Sequence, residues 1–137
     1  ARVAEKVRRA AGGQLEHRTV AVWGLTFKAG TDDLRDSPAL AVVGLLVAAG
    51  AEVRAYDPTV GVGGPDPAHS VGIFGDPLSP CDGAHALVVL TDWDEFRTIE
   101  PVEVSERMAN SAVVDARNSL DRQVWQRAGF DFQSIGS

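Results

Sequence analysis

The chain is short of sulfur and of aromatic surface: one cysteine, one methionine and one tyrosine occur in 137 residues, and Phe, Trp and Tyr together make up 7%. A single thiol, Cys81, excludes an internal disulfide and any zinc site built from several cysteines, and it is compatible with a reducing compartment. Positive charge is also in deficit. Thirteen Lys and Arg against nineteen Asp and Glu leave a formal net charge of −6, so the broad basic face that a nucleic-acid binder needs is not expected. An anionic ligand would have to meet a local basic cluster instead. No apolar run approaches the roughly 18 residues of a membrane helix, and residues 1–9 lack the apolar stretch of a secretory signal. The expectation is a soluble, cytoplasmic protein with neither nucleic acid nor membrane as partner.

What remains is the composition of an ordinary globular domain, 45% hydrophobic and 23% charged, in a length suited to one core. Residues 1–11 place Val3, Ala4, Val7 and Ala10 at helical spacing among basic residues, and Gly12-Gly13 ends the run. The segment reads as the end of a linker helix entering from an upstream domain, so residues 1–13 are set apart from a domain at 14–137. Thr19-Val-Ala-Val-Trp23 is a continuous β-prone stretch of the kind buried on both faces of a parallel sheet. Ser37-Pro38 reads as an N-cap and first helical residue, followed by an apolar helix at 39–49 that Gly50 closes. Strands are expected at 52–56, 86–90, 112–115 and 130–135. Helices or helical turns are expected at 76–83, 93–96, 101–108 and 120–128, and an irregular loop at 61–70. Strands alternating with helices at this spacing predict an α/β fold: a three-layer, Rossmann-like domain with a mostly parallel sheet flanked by helices. Ligands of such sheets sit outside the carboxyl ends of the strands, which directs attention to 24–36, 57 onward, 91–96 and 115–118.

The richest of these segments, Gly24-Leu-Thr-Phe-Lys-Ala-Gly-Thr-Asp-Asp-Leu-Arg-Asp-Ser-Pro38, leaves a strand and opens a helix. Lys28 offers a compact cation and Arg35 a planar fork suited to phosphate oxygens, beside the free N–H groups of a helix start. The alternative is that both side chains pair with Asp32, Asp33 and Asp36. The segment has neither G-x-G-x-x-G nor G-x-x-x-x-G-K-[ST], so cofactor binding by this chain alone is not expected. Arg117, after one strand and before a helix, could meet a ligand or form a salt bridge with Asp115 or Asp121.

Three ordered blocks carry a family resemblance: GLTFKAGTDDLRDSPAL at 24–40, DGAHALVVLTDWDEF at 82–96 and VDARN at 114–118. Together they resemble the C-terminal, nucleotide-sugar-binding domain of the UDP-glucose/GDP-mannose dehydrogenase family. The resemblance implies part of an NAD-dependent enzyme, inactive by itself, that oxidises the C6 hydroxymethyl of a UDP-hexose, or of a GDP-hexose, to a carboxylate. It implies that Phe27, Lys28 and Arg117 contact the sugar nucleotide and that Arg35 reaches toward NAD. The main NAD site and the nucleophilic cysteine belong to upstream regions, and the full-length enzyme is expected to be a homodimer or higher homo-oligomer. The competing reading is a stand-alone nucleotide-binding, regulatory or dimerisation module without redox chemistry.

Other residues carry less. Cys81 has no neighbouring His in sequence to activate it and reads as an inert thiol. His17, His69 and His85 lack ligand spacing, so no metal is expected. Trp93 and Phe96 could stack on a base but fit better as lids on the core. Tyr56-Asp57-Pro58 reads as a strand end and turn at the ligand rim, and Asp32-Asp33 and Asp94-Glu95 as solvated loop charges.

Overall fold

The computed structural model describes residues 2–26, 38–60 and 71–135. In chain order the elements are α1 (Arg2–Ala10), β1 (Thr19–Trp23), α2 (Pro38–Ala48), β2 (Glu52–Tyr56), β3 (Val71–Ile73), a 3-10 turn (Ser79–Cys81), β4 (Ala86–Val89), α3 (Asp94–Arg97), α4 (Pro101–Arg107), β5 (Ala112–Asp115), α5 (Arg122–Arg127) and β6 (Asp131–Ser134). The strands make one sheet in the order β3-β2-β1-β4-β5-β6, and every pairing in it is parallel. The chain winds outward from β1 through β2 to β3, then returns to the other side of β1 to place β4. The point where the winding reverses therefore lies between β1 and β4.

The continuous apolar runs of the sequence become the central strands. β4 and β5 are buried at all four positions and β1 at four of five, as a sheet covered on both faces requires. Side-chain alternation divides the core. Val20, Val22, Val53, Ala55, Val88 and Val114 meet α1 and α2 through Val7, Ala10, Val43 and Leu46. Ala21, Trp23, Leu87, Val89 and Val113 meet the opposite layer through Phe96, Val104, Trp125 and Phe130. The first layer is aliphatic; the second is bridged by rings, with Trp23 stacked on Phe96 at 5.2 Å and edge-on to Trp125 at 6.0 Å. Phe96 is thus a core residue, as expected of a lid.

Two expectations change. β3 was not anticipated, because Val-Gly-Ile is too short to show alternation; it is an edge strand joined only to β2. The helix expected at 76–83 contracts to the 3-10 turn, since Asp76 accepts the N–H groups of Leu78 and Ser79 and thereby closes a turn. The expected parallel sheet flanked by helices is present, and all of its pairings are parallel. Gly50, at φ 92°, does close α2, with the Ala51 N–H donating to the Leu46 carbonyl as in a glycine-capped helix end. No helix among the described residues is long and apolar enough to cross a membrane.

Candidate functional site

Among the described residues, the buried polar side chains are Thr26, Asp57, Thr91, Asp115 and Ser119. All five sit at or just beyond the carboxyl ends of β1, β2, β4 and β5. The pairing registers bring those ends level, with Trp23 opposite Tyr56 and Val89, and Val89 opposite Asp115. A buried polar group is costly unless it is hydrogen-bonded, so this concentration at one edge marks a built surface.

At the β1/β4 reversal the two strand exits touch. Gly24 adopts φ +98°, and a Cβ there would fall 2.4 Å from the Cβ of Thr91. No side chain fits between them. The Thr91 hydroxyl donates to the Thr26 carbonyl at 3.2 Å, tying the exit of β1 to that of β4.

Asp57 follows β2 and is 1% exposed. Its Oδ1 accepts the backbone N–H and the hydroxyl of Thr59 at 2.8 and 2.7 Å, the local turn that Asp favours. Its Oδ2 crosses to β1 and accepts the N–H groups of Leu25 at 2.7 Å and Thr26 at 3.2 Å. One carboxylate thus joins two loops. Asp115, also 1% exposed, is wrapped by its own loop. Its Oδ1 accepts the N–H groups of Arg117 and Ser119 at 3.2 Å and the Ser119 hydroxyl at 3.3 Å, while Oδ2 accepts the Leu120 N–H at 2.9 Å. Asn118 permits the reversal by taking φ 55°, a left-handed conformation that Asn tolerates better than most residues.

Phe27, Lys28 and Arg35, together with Asp32, Asp33 and Asp36, lie outside the described residues. Arg117 is exposed at the head of the β5–α5 loop. Among the described residues its guanidinium has no carboxylate partner: Asp115 takes its backbone N–H, and Asp121 caps α5 by accepting the N–H groups of Gln123 and Val124. The salt bridge weighed as its alternative role is not formed with either acid. Glu95 corrects another expectation. Instead of being a solvated charge, it accepts the Tyr56 hydroxyl at 2.8 Å on both oxygens, linking α3 to the end of β2. Burial and this carboxylate hold the Tyr56 phenol well above its ordinary pKa, so it remains a donor. Asp94 keeps a surface ion pair with Arg97. Cys81 is fully buried, and its thiol is pushed up to about 12, chiefly by burial, which makes it a poor nucleophile at neutral pH. Among the described residues no group of three or more His, Cys, Asp or Glu is placed to hold a metal ion.

The strand order 3-2-1-4-5-6, with polar burial gathered at the reversal point, defines a doubly wound α/β domain whose ligand end is its carboxyl edge. The model of the UDP-glucose/GDP-mannose dehydrogenase family, UDP binding domain, matches residues 21–122, and the chain belongs to that family. It is 40% identical over 131 residues to the UDP-glucose 6-dehydrogenase of Rhizobium meliloti (strain 1021), covering 96% of this chain and 30% of that protein. To the UDP-glucose 6-dehydrogenase of Pseudomonas aeruginosa it is 37% identical over 130 residues, covering 90% and 29%. Among solved structures, UDP-D-ManNAc dehydrogenase from Pyrococcus horikoshii matches with a TM-score of 0.77 at 30% identity, over 97% of this chain and 29% of that one. The chain spans about 30% of the length of the curated relatives it matches.

Proposed function

We propose that this chain is the sugar-nucleotide-binding part of a longer NAD-dependent dehydrogenase that oxidises the C6 hydroxymethyl of a UDP-hexose to a carboxylate. In this reading residues 1–13 end a helix leading from an upstream domain and residues 14–137 form one wall of the active site. Phe27, Lys28 and Arg117 contact the sugar nucleotide, and Arg35 reaches toward NAD. The observation that carries the reading is the carboxyl edge itself: buried carboxylates there are satisfied by backbone N–H groups, and the exposed Arg117 is left facing outward without a carboxylate partner among the described residues. A guanidinium so presented suits a phosphate or a sugar hydroxyl.

NAD supplies the hydride acceptor in this chemistry, and two are consumed per alcohol taken to the acid. The residues of this chain do not fit a complete dinucleotide site, because the β1–α2 segment lacks the glycine pattern that seats a pyrophosphate. The cofactor and the nucleophilic cysteine are assigned to upstream sequence, with Cys81 excluded by its burial. The full-length protein is proposed to be a cytoplasmic homo-oligomer.

The test is NADH formation by the full-length product of this reading frame, offered UDP-glucose, UDP-N-acetylmannosamine, UDP-N-acetylglucosamine and GDP-mannose in turn. Two NADH per sugar with one of them is the expected result and names the substrate. A folded protein silent with all four overturns the reading in favour of a binding module without redox activity.

A further inference from the structure

Arg117 is the one proposed ligand contact among the described residues, and its surroundings hold a second functional element. We propose that Asp115 is a positioning residue for Arg117, its buried carboxylate fixing the backbone from which that guanidinium reaches the sugar nucleotide. The inference rests on the reading of Arg117 as a binding residue.

Four donors converge on this carboxylate, and the first of them is the amide of Arg117 itself at 3.2 Å, followed by the Ser119 amide and hydroxyl and the Leu120 amide. A bond to the residue's own N–H restrains the peptide that sets the direction of its Cα–Cβ vector. The same bonds hold Asn118 in its left-handed conformation, φ 55°, so the loop has few other courses past Asp115. The anchor is rigid at its root: Asp115 is the last residue of β5, paired with Val89 on one side and Ser134 on the other. A turn at the surface could be closed by an exposed Ser or Asn, whereas this carboxylate is 1% exposed, and its burial is tolerable because every bond it makes is to a donor. Among the described residues the bonds run to amides and a hydroxyl and none to a guanidinium, which leaves the Arg117 head for a ligand. Pre-organising a long, flexible cation in this way reduces the conformational freedom lost on binding.

The test uses the full-length product of the reading frame and UDP-glucose as probe, with the Kd measured by calorimetry. Arg117→Ala is expected to weaken binding by about tenfold, and Asp115→Asn by about five- to tenfold, since it keeps the shape and exchanges acceptor capacity for an NH₂. The decisive variant is the double substitution. If Asp115 acts through Arg117, then Asp115→Asn adds less than about twofold in the Arg117→Ala background, because coupled residues are not additive. Asp57→Asn, the same change at a carboxylate serving other loops, should multiply with Arg117→Ala and serves as control. Multiplying effects for Asp115→Asn and Arg117→Ala, or an Asp115→Asn protein that binds like wild type while Arg117→Ala does not, overturns the positioning role. A wild-type Kd unchanged by Arg117→Ala withdraws the binding role of Arg117 and the inference with it. Should Asp115→Asn not fold, Asp115→Glu keeps the carboxylate and displaces it by one methylene; it is held to the same criterion, and multiplication again overturns the role.

Discussion

The two ends of the sheet handle polarity in opposite ways. At the amino end, polar contacts lie in or near solvent. Exposed Asn110 donates to the carbonyls of Ala10 and His85, the Thr19 N–H donates to His85 Nδ1 at 3.1 Å, and Arg54 pairs with the largely exposed Glu52. At the carboxyl end the polar groups are inside, and two of them are carboxyl groups. Surface contacts of the first kind contribute little and tolerate change. The second kind is destabilising to break, since donors left without acceptors inside the protein keep their desolvation penalty. An edge built this way is rigid, and a rigid edge can hold ligand-contacting side chains in one geometry.

The comparison is sharpest at two glycines. Gly24 at the carboxyl end and Gly50 at the amino end both have positive φ, +98° and +92°. Their surroundings differ: a Cβ on Gly24 meets Thr91 Cβ at 2.4 Å and the Thr91 backbone nitrogen at 2.7 Å, while one on Gly50 meets Glu16 at 3.2 Å. Gly24→Ala combines left-handed strain with a clash against backbone and should cost about 3–5 kcal/mol. Gly50→Ala carries mainly the strain, about 1–2 kcal/mol. Urea unfolding of both variants checks the ranking, and equal losses would break the comparison.

Next in size are the polar side chains. Asp57→Ala removes the acceptor for the Leu25, Thr26 and Thr59 N–H groups and should cost about 3 kcal/mol. Asn110→Ala, at the amino end, deletes two bonds from an exposed side chain and should cost about 1 kcal/mol or less. Denaturant midpoints for the pair decide it: a loss at Asn110 equal to that at Asp57 would mean that the amino end is built as tightly.

Much of this architecture was legible in the sequence, and what was not has a physical cause. Runs such as Thr19 to Trp23 and Ala86 to Leu90 announce buried parallel strands because both faces must be apolar, and Pro38 and Gly50 punctuate α2 by their own backbone preferences. β3 was illegible, since three residues with a central Gly72 carry no period and become a strand only by pairing with β2. The site divides in the same way. Arg117 stood out as a cation after a strand. Asp57 read as part of a strand end and turn at the ligand rim, with no sign of a tie to β1, although half of its bonds go to Leu25 and Thr26, which lie 32 and 31 residues away. Asp115 entered only as one of two possible ion-pair partners of Arg117, yet it binds amides and a hydroxyl. Which loops a carboxylate meets depends on strand order, which no local pattern contains. Glu95 was missed for the same reason, its partner Tyr56 being 39 residues distant.

A further prediction contrasts buried acids that have several donors with one that, among the described residues, has none. Asp57 and Asp115 each accept four hydrogen bonds among the described residues. Cys81 is as deeply buried, and among the described residues its thiol donates to the Pro77 carbonyl at 3.6 Å, a bond that a thiolate could not make. Burial above all, with the negative charge of Asp82 nearby, raises its pKa from an ordinary 9.0 to about 12. Below pH 9 the thiol is protonated in folded and unfolded chains alike and leaves stability unchanged with pH. Above it the unfolded chain releases the proton and the folded chain keeps it, so stability falls as the pH rises toward 12. Between pH 8 and pH 10 the loss from this group should be about 1 kcal/mol. Cys81→Ala, though less stable at pH 8 through its cavity, should lose about 1 kcal/mol less than the parent over the same interval. Urea midpoints at the two pH values measure the difference, and parallel losses in the two proteins would show that the thiol ionises inside the fold as readily as outside it.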